Sequence, residues 1–230
     1  MNDQRTRQIW LYGVLAIGFL LPVVISVGVV LGWIHLHPAT RGRLLFKIIY
    51  QIVGLLSMYF ALRYQGRRLK DIGLFLEPRL IEIGRAFALF FGVMFLSLVC
   101  YFTLSMLLGL AYHKTYDSAV LFGTSVGFLS ILFAVTNPFH EELLVRAFLI
   151  TEVEGLYRST TLAVILSVTL QTSYHLYQGL PAALLHVPTF LVFSVYYVRT
   201  RRIFPVILAH MFLDMMALAI YVQRLHPGTH

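Results

Sequence analysis

One short stretch of this sequence carries four ionisable side chains within seven residues: His140, Glu141, Glu142 and Arg146. The residues on both sides, 119–135 and 145–150, are mostly apolar. Two adjacent carboxylates are costly in hydrocarbon unless they are neutralised or solvated. We therefore interpret this stretch as a functional site inside a membrane segment, not as a loop outside the bilayer.

The spacing divides the work between the two glutamates. Glu142 and Arg146 are four residues apart, so on a helix they share a face and can form an ion pair. Glu141 points about 100° away from that face and has no such partner. Because the arginine would hold Glu142 ionised, Glu141, desolvated beside that charge, is the candidate general base near neutral pH.

Three further polar residues lie in later apolar segments, namely His175, His210 and Asp214. Glu141 precedes Arg158 by 17 residues and His175 follows it by 17, so a helical hairpin that turns at Arg158 would place their side chains level. His210 and Asp214 are four residues apart and share a helix face. We expect all of them to meet in one cavity somewhat inside the cytoplasmic half of the membrane.

The remaining polar residues are interpreted as structural. His140 is expected to line the cavity mouth, His186 to bond to a neighbouring helix, and Asn137 to cap a helix. The zinc-protease pattern H-E-x-x-H is absent, because Leu144 stands where the second histidine would be. No G-x-S-x-G motif supports a serine nucleophile.

The composition indicates the fold class. The 230 residues are 59% hydrophobic and 12% charged, with a mean hydropathy of +0.79, which predicts an all-α polytopic membrane protein and not a soluble domain. The formal net charge of +8 sits in short clusters between apolar runs, as in the loops of membrane proteins. We therefore expect the bilayer and a peptide as partners, and no nucleic acid.

About seven transmembrane spans (six to eight) are predicted in a single domain covering 1–230, at residues 9–34, 44–62, 86–112, 119–156, 160–177, 181–198 and 203–222. The first is too long for a signal peptide and should remain as an anchor. The fourth is too long for one straight crossing, and we expect a break at Asn137–Pro138, because asparagine caps helices and proline suits a first turn. Residues 63–85 are expected to form a cytoplasmic linker with a short interfacial helix.

The distribution of basic residues predicts the orientation. With seven spans and the N-terminus inside, twelve of the 18 basic residues lie in cytoplasmic segments and five lie outside, with Arg146 in the membrane. Two crossings by the fourth segment would instead place Arg158, Arg199, Arg201 and Arg202 outside. We expect a single crossing, in what we predict to be a bacterial cytoplasmic membrane.

The ordered pattern Glu141-Glu142-x-x-x-Arg146, His175 and His210-x-x-x-Asp214 resembles the motifs of the CAAX prenyl protease and bacteriocin-processing family. The members of this family are intramembrane glutamate endopeptidases. The likeness covers residues 138–216, roughly a third of the chain, and the first 118 residues resemble the family only in being hydrophobic spans.

The resemblance implies a role for each of these residues and calls for no metal or other cofactor. Glu141, helped by His175, would activate a water molecule for attack on a peptide carbonyl. His210 and Asp214 would form the side of the cavity that binds the oxyanion. Glu142 and Arg146 would support the base.

The sequence departs from the family pattern at four positions. Gln171 replaces a phenylalanine, Val145 an aromatic residue and Ala147 a glycine, and we expect Gln171 and Val145 to affect the cavity shape and not the chemistry. Asp214 stands where asparagine is better known. An ionised aspartate cannot donate to an oxyanion, so Asp214 is either protonated or accepts a hydrogen bond from His210.

Two alternatives to this glutamate protease remain open at the level of sequence. Glu141, His175, His210 and Asp214 would also suit a divalent metal, which would make the enzyme a metal-dependent protease. A bacteriocin-immunity or scaffold protein without catalytic activity is the other. The sequence does not identify the substrate, which could be a prenylated tail or a secreted peptide precursor, or the oligomeric state.

Overall fold

The computed structural model describes residues 3–75, 80–108 and 118–225, and this part of the chain is helical with no strand. Eight helices can be labelled in chain order. Helix α1 consists of Asp3–Leu15, a π-helical segment Ala16–Leu20, and Leu21–Val30. The next three are α2 (Arg41–Tyr64), α3 (Leu80–Leu108) and the short α4 (Ala119–Phe122).

The second half of the chain forms the other four helices. Helix α5 runs without interruption through Phe128–Glu141, a π-helical segment Glu142–Phe148, and Leu149–Tyr157. It is followed by α6 (Thr160–His175), α7 (Leu180–Thr200) and α8 (Phe204–Leu225). Two 3₁₀ turns, Leu69–Ile72 and Leu176–Gln178, complete the described elements.

Five of these helices are long and apolar enough to cross a bilayer, at Gln4–Val30, Arg41–Tyr64, Leu80–Leu107, Leu180–Thr200 and Phe204–Leu225. Helix α3 is the most lipid-facing in character, since it exposes large apolar side chains such as Phe91, Phe95 and Phe102. In a membrane protein such side chains contact acyl chains instead of water. The protein is therefore an all-α polytopic membrane protein, as predicted.

Helix α5 is the central element of the fold. It contacts α1, α2, α6, α7 and α8, and every residue from 141 to 150 is buried. Its π-helical segment holds Glu142 and Arg146 at the centre of the larger apolar cluster, which includes Leu143, Leu144 and Phe148. Segments with π-helical hydrogen bonding are frequently found at functional sites.

Four arginine–glutamate contacts gather the ends of six helices at one end of the molecule, which we call the arginine end. Glu152 of α5 pairs with Arg7 of α1 (3.1 Å) and with Arg67, which follows α2. The other two pairs are Arg201–Glu154 (2.5 Å) and Arg202–Glu82 (2.6 Å). The C-terminal end of α5 therefore lies beside the end of α2 and the start of α1, at the arginine end.

The expected break at Asn137–Pro138 is wrong. Both residues lie inside α5, which begins nine residues earlier, at Phe128. Proline is tolerated within a membrane helix when neighbouring helices pack around it, even though one backbone hydrogen bond is lost. Pro138 is buried in such a setting.

The break in this segment lies instead at residues 123–127. Gly123 has a φ of +86°, a conformation that glycine adopts without steric cost. The hydroxyl of Ser130 then closes the start of α5, since it accepts from the backbone N–H of Gly127 (3.3 Å) and donates to the carbonyl of Phe122 (2.7 Å). The glycines and the serine therefore determine where this helix begins.

The predicted linker at 63–85 is only partly described. Helix α2 ends at Tyr64, the 3₁₀ turn Leu69–Ile72 follows, and α3 starts at Leu80, six residues before the predicted third span. Residues 76–79 and 109–117 lie outside the described part of the chain, and with them Arg79, Lys114 and the end of the predicted third span.

Candidate active site

A cavity of about 470 Å³ lies between α1, α2, α5, α6 and α8. Its lining includes all four side chains that the sequence analysis singled out as catalytic: Glu141, His175, His210 and Asp214. Three different helices supply them, α5 for the first, α6 for the second and α8 for the last two. The structure thus brings these four residues together.

Glu141 and His175 share a partner, Gln171 of α6. The side-chain amide of Gln171 donates to Oε2 of Glu141 (3.0 Å), and its backbone carbonyl is 2.8 Å from Nδ1 of His175. A ring nitrogen facing a carbonyl carries the proton, so Nε2 of His175 keeps its lone pair. Gln171 therefore orients both the proposed base and its helper.

This contact corrects the expectation that Gln171 affects only the shape of the cavity. Gln171 is fully buried and its amide binds the carboxylate of Glu141 directly. A hydrogen bond to a charged group contributes about 1.5–3 kcal/mol, so the exchange of phenylalanine for glutamine is a change in the chemistry of the site. The spacing of four residues between Gln171 and His175, which places both on one helix face, was the available signal.

The ion pair expected from spacing between Glu142 and Arg146 is present in the structure. Nη1 of Arg146 is 2.8 Å from both carboxylate oxygens of Glu142, and both side chains are completely buried. The guanidinium also lies over the rings of Phe190 (5.5 Å) and Phe193 (5.6 Å). Cation–π contacts of this kind stabilise a desolvated arginine.

Glu142 has a second partner that the sequence did not predict. Nδ1 of His210 lies 2.6 Å from Oε1 of Glu142, which directs Nε2 toward the cavity. That nitrogen is 3.9 Å from Oε2 of Glu141 and 3.6 Å from Oδ1 of Asp214. Glu142 thus connects Arg146 to His210 and determines which ring nitrogen faces a substrate.

Asp214 is held by a chain of amides. Oδ2 of Asp214 accepts from Nδ2 of Asn137 (3.1 Å), and Oδ1 of Asn137 accepts from Nε2 of Gln51 (2.9 Å). The sequence analysis expected Asn137 to cap a helix. It is instead a positioning residue in the site. It precedes Glu141 by four residues and so shares its helix face, which is the signal that could have indicated this role.

His140 and His186 are the two histidines for which the sequence analysis expected structural roles. His140 does not line the mouth of the cavity, because it is only 4% exposed and packs against Gly18 and Gly54 at the inner wall. A Cβ atom at Gly54 would lie 2.8 Å from Nε2 of His140, so the glycine makes room for the ring. His186 bonds to Oε1 of Gln178 (3.0 Å), which lies in the turn directly before its own helix α7 and not in a neighbouring helix as was expected.

The cavity opens at the end of the molecule opposite to the arginine end. Exposed residues of its lining include His35, His37 and Arg43, at the loop before α2 and at the start of that helix. On the other side of Glu141, residues 142–150 are buried throughout. Within the described part of the chain, the site is therefore closed toward the arginine end.

The same four side chains were considered as metal ligands. Among the described residues, no group of three or more His, Cys, Asp or Glu side chains is placed so that it could hold a metal ion. Glu141 is bound to the amide of Gln171, and Nε2 of His210 is 3.9 Å from its nearer oxygen.

Comparison with known proteins gives one match. A family model described as Type II CAAX prenyl endopeptidase Rce1-like matches residues 123–216, the segment that contains every proposed catalytic residue. This segment of the chain is therefore similar to the CAAX prenyl protease and bacteriocin-processing family. Searches of curated proteins and of solved structures found no match.

The match to the CAAX protease family supports an activity in general terms. It supports an intramembrane protease of the CAAX type, and hence a hydrolase, integral to a lipid membrane. The matched segment starts at Gly123, where the loop before α5 begins. The first 122 residues, with α1 and α2, lie outside the match even though Gln51 and other residues there line the cavity.

Proposed function

We propose that this protein hydrolyses peptide bonds of membrane-associated peptides or protein C-terminal tails with a water molecule activated by Glu141. The observation that carries the proposal is the arrangement around Gln171, which binds Glu141 with its side chain and His175 with its backbone at the closed end of a cavity. A carboxylate beside an imidazole with a free Nε2 can accept and pass on a proton.

In this mechanism the peptide carbonyl lies between two groups of side chains. Glu141 takes a proton from water, and the hydroxide attacks the carbonyl carbon. The negative charge that develops on the oxygen is stabilised by Asp214 and by a doubly protonated His210, which keeps Nδ1–H toward Glu142 and donates through Nε2–H. When the tetrahedral intermediate collapses, the C–N bond breaks, and the proton held by Glu141 or His175 passes to the leaving amine.

Glu142 and Arg146 act through His210 and not on the substrate. Glu142 is completely buried, does not line the cavity and already binds both of them, so water in the cavity does not reach its carboxylate. Its carboxylate keeps the proton on Nδ1 of His210. We therefore assign Glu142 as a positioning residue and Glu141 as the base.

The test of hydrolysis without a metal uses the purified protein in lipid vesicles and a library of short synthetic peptides, with mass spectrometry of the products. We expect cleavage by the wild type that survives prolonged treatment with a strong chelator. Loss of cleavage with chelator and its return on addition of a divalent metal would instead support the metal-dependent alternative. If the folded protein cleaves none of the peptides, the immunity or scaffold function is the better explanation.

We also propose that the N-terminus and the arginine end face the cytoplasm, as the distribution of basic residues predicts. Reporter tags at Arg68, Arg158 and Arg201 should then all report the cytoplasm, because these residues lie at one end of the molecule. A tag at Gln178 should report the opposite side. Since the cavity opens at that end, the reverse result would mean that substrates enter from the cytoplasm.

Asp214 is the residue whose protonation state matters most. Because Glu142 already binds Nδ1 of His210, and Oδ1 of Asp214 is 3.6 Å from Nε2, Asp214 is not needed to orient the ring. We propose that a protonated Asp214 donates to the oxyanion. Since asparagine donates at every pH, Asp214→Asn should keep or raise the activity and extend it to higher pH.

The pH–rate profile of Asp214→Asn beside that of the wild type decides this point. A loss of about 10²–10³-fold at every pH, the size expected when an oxyanion donor is misplaced, would contradict our assignment. Asp214 would then be an ionised partner of His210.

A further inference from the structure

A groove of about 290 Å³ lies on the outside of the helix bundle, between α3 and α7. Its lining consists of Arg85, Ala88, Leu89 and Gly92 of α3 with Val192 and Tyr196 of α7. None of these residues lines the active-site cavity. The groove is therefore a separate feature of the surface, and the proposed hydrolysis makes no use of it.

The end of this groove nearest to the arginine end is cationic. Arg85 follows Glu82 by three residues, and Glu82 pairs with Arg202 at the arginine end. Arg199 follows Tyr196 by three residues and so lies on the same face of α7. Both Arg85 and Arg199 are exposed, and among the described residues no carboxylate pairs with either of them. The groove therefore starts beneath two arginines without counter-ions, at one end of the membrane helices.

The rest of the groove is apolar and runs toward the middle of the membrane. Arg85 and Gly92 are seven residues apart on α3, or about 10 Å along the helix axis, which is about a third of the ~30 Å hydrocarbon core. A Cβ atom at Gly92 would meet nothing within 4 Å. The neighbouring Phe91 and Phe95 are exposed, so the small residues leave a depression in a surface that faces lipid.

We propose that this groove binds an anionic phospholipid, with its phosphate held by Arg85 and Arg199 and one acyl chain lying against Ala88 and Gly92. The guanidinium group binds phosphate oxygens through two parallel hydrogen bonds. Basic pockets between membrane helices are typical sites for the headgroups of anionic lipids. A free phosphate would leave the apolar part of the groove unfilled, so the lipid is the ligand that matches both parts.

A second copy of the chain fits the groove less well than a lipid. In a membrane dimer with two-fold symmetry the two α3 helices meet with the same residues at the same depth. The two Arg85 side chains would then lie close together, and like charges repel. The arginines at the head of the groove therefore favour an anionic ligand over another α3 helix.

The experiment measures lipid binding to the whole protein, purified in detergent, by native mass spectrometry. The probes are dioleoyl phosphatidylglycerol, which is anionic, and dioleoyl phosphatidylcholine, which has no net charge. We expect one molecule of phosphatidylglycerol to bind the wild type about 30-fold more tightly, because each of two arginines contributes about fivefold to the binding of an anionic headgroup. An excess of inorganic phosphate should not displace the lipid.

Two sets of variants separate the headgroup from the acyl chain. Arg85→Gln combined with Arg199→Gln should remove the preference for phosphatidylglycerol and leave the binding of phosphatidylcholine unchanged. Gly92→Leu should fill the groove and weaken the binding of both lipids by about tenfold, the loss expected when two CH₂ groups are excluded. Ala88→Leu fills the same groove one turn away and should have the same effect.

Arg63→Gln and Gly13→Leu are the matched controls. Arg63 is an exposed arginine in the last turn of α2, and it does not line the groove. Gly13 is an exposed helical glycine of α1 which, like Gly92, has nothing within 4 Å of its Cβ position. Both controls should bind the two lipids as the wild type does, and the thermal unfolding temperature shows whether each variant is folded.

Four results would overturn the lipid site. They are equal binding of the two lipids by the wild type, displacement of the lipid by inorganic phosphate, a loss of preference in Arg63→Gln as large as that in the double variant, and unchanged binding in both Gly92→Leu and Ala88→Leu. A dimer of the wild type that is lost in Gly92→Leu, with lipid binding unchanged, would instead identify the groove as an interface between copies. Because the readout is lipid binding, the outcome does not depend on peptide cleavage.

Discussion

Glu141→Gln is expected to abolish peptide cleavage while leaving the fold intact. The amide keeps the size and shape of the side chain and can still accept the hydrogen bond that Gln171 donates to Oε2 in the wild type (3.0 Å). It cannot accept a proton from water. Removal of a general base typically costs about 10²–10⁴-fold, and we expect kcat to fall by at least that range while the thermal unfolding temperature changes little.

Glu154→Gln provides the matched control for this variant. It removes the same charge from the same helix, but Glu154 lies at the arginine end, where it pairs with the half-exposed Arg201. Cleavage should continue at close to the wild-type rate. An active Glu141→Gln beside a folded but inactive Glu142→Gln would show that the roles of the two glutamates are the reverse of our assignment.

The same variant also tests the scaffold alternative in cells. If the biological effect of the protein is lost in Glu141→Gln at an unchanged protein level, a purely structural role is contradicted. Comparison of the membrane peptides in cells with the wild type and with Glu141→Ala would then identify candidate substrates, since peptides that accumulate uncut in the variant are those that the protease normally removes.

The parts of the site that could be predicted from sequence are those set by spacing along one helix. Glu142 and Arg146, and likewise His210 and Asp214, are four residues apart, and helical geometry alone places each pair on one face. Glu141 and His175 are each 17 residues from Arg158, which predicted that their side chains lie level in a helical hairpin. Each of these predictions needs only the rise and twist of a helix.

The contacts that sequence did not predict join residues on different helices. His210 reaches Glu142 from α8, Gln171 reaches Glu141 from α6, and Gln51 supports Asn137 from α2. No periodicity along the chain specifies which helix faces which, because that depends on the packing of several helices around α5. The three amides in these contacts, Gln51, Asn137 and Gln171, nevertheless stand out in the sequence because a polar side chain in an apolar segment needs a partner.

The break in the fourth span shows why local rules failed at one position. Asparagine followed by proline is a sound signal for the start of a helix in water. In α5 the surrounding helices hold the backbone on both sides of Pro138, and the amide of Asn137 is used by Asp214 and Gln51 instead of by a cap. Tertiary contacts therefore outweighed the local preference, and the chain breaks instead between Gly123 and Gly127, where Gly123 adopts a φ of +86°.

Glu142→Gln is expected to cost far more stability than any other single change in the site. Arg146 is completely buried and pairs with Glu142 at 2.8 Å, so the substitution leaves a guanidinium without a counter-charge inside the membrane. Breaking a buried ion pair on one side typically costs about 3–5 kcal/mol. His210 would at the same time keep only a neutral amide oxygen as the acceptor for Nδ1, which is a weaker partner than the carboxylate.

A second substitution distinguishes the charge from the shape of the site. Glu142→Gln combined with Arg146→Met removes both charges and keeps an unbranched side chain beneath the rings of Phe190 and Phe193. Since replacing both members of a buried pair by uncharged groups is often neutral, the double variant should regain most of the lost stability. Activity should not return, because the carboxylate that holds His210 is still missing.

The free energy of unfolding of the single and double variants in detergent, combined in a double-mutant cycle, measures this coupling. A Glu142→Gln variant as stable as the wild type would mean that Arg146 is neutralised by another group and that Glu142 is available for chemistry.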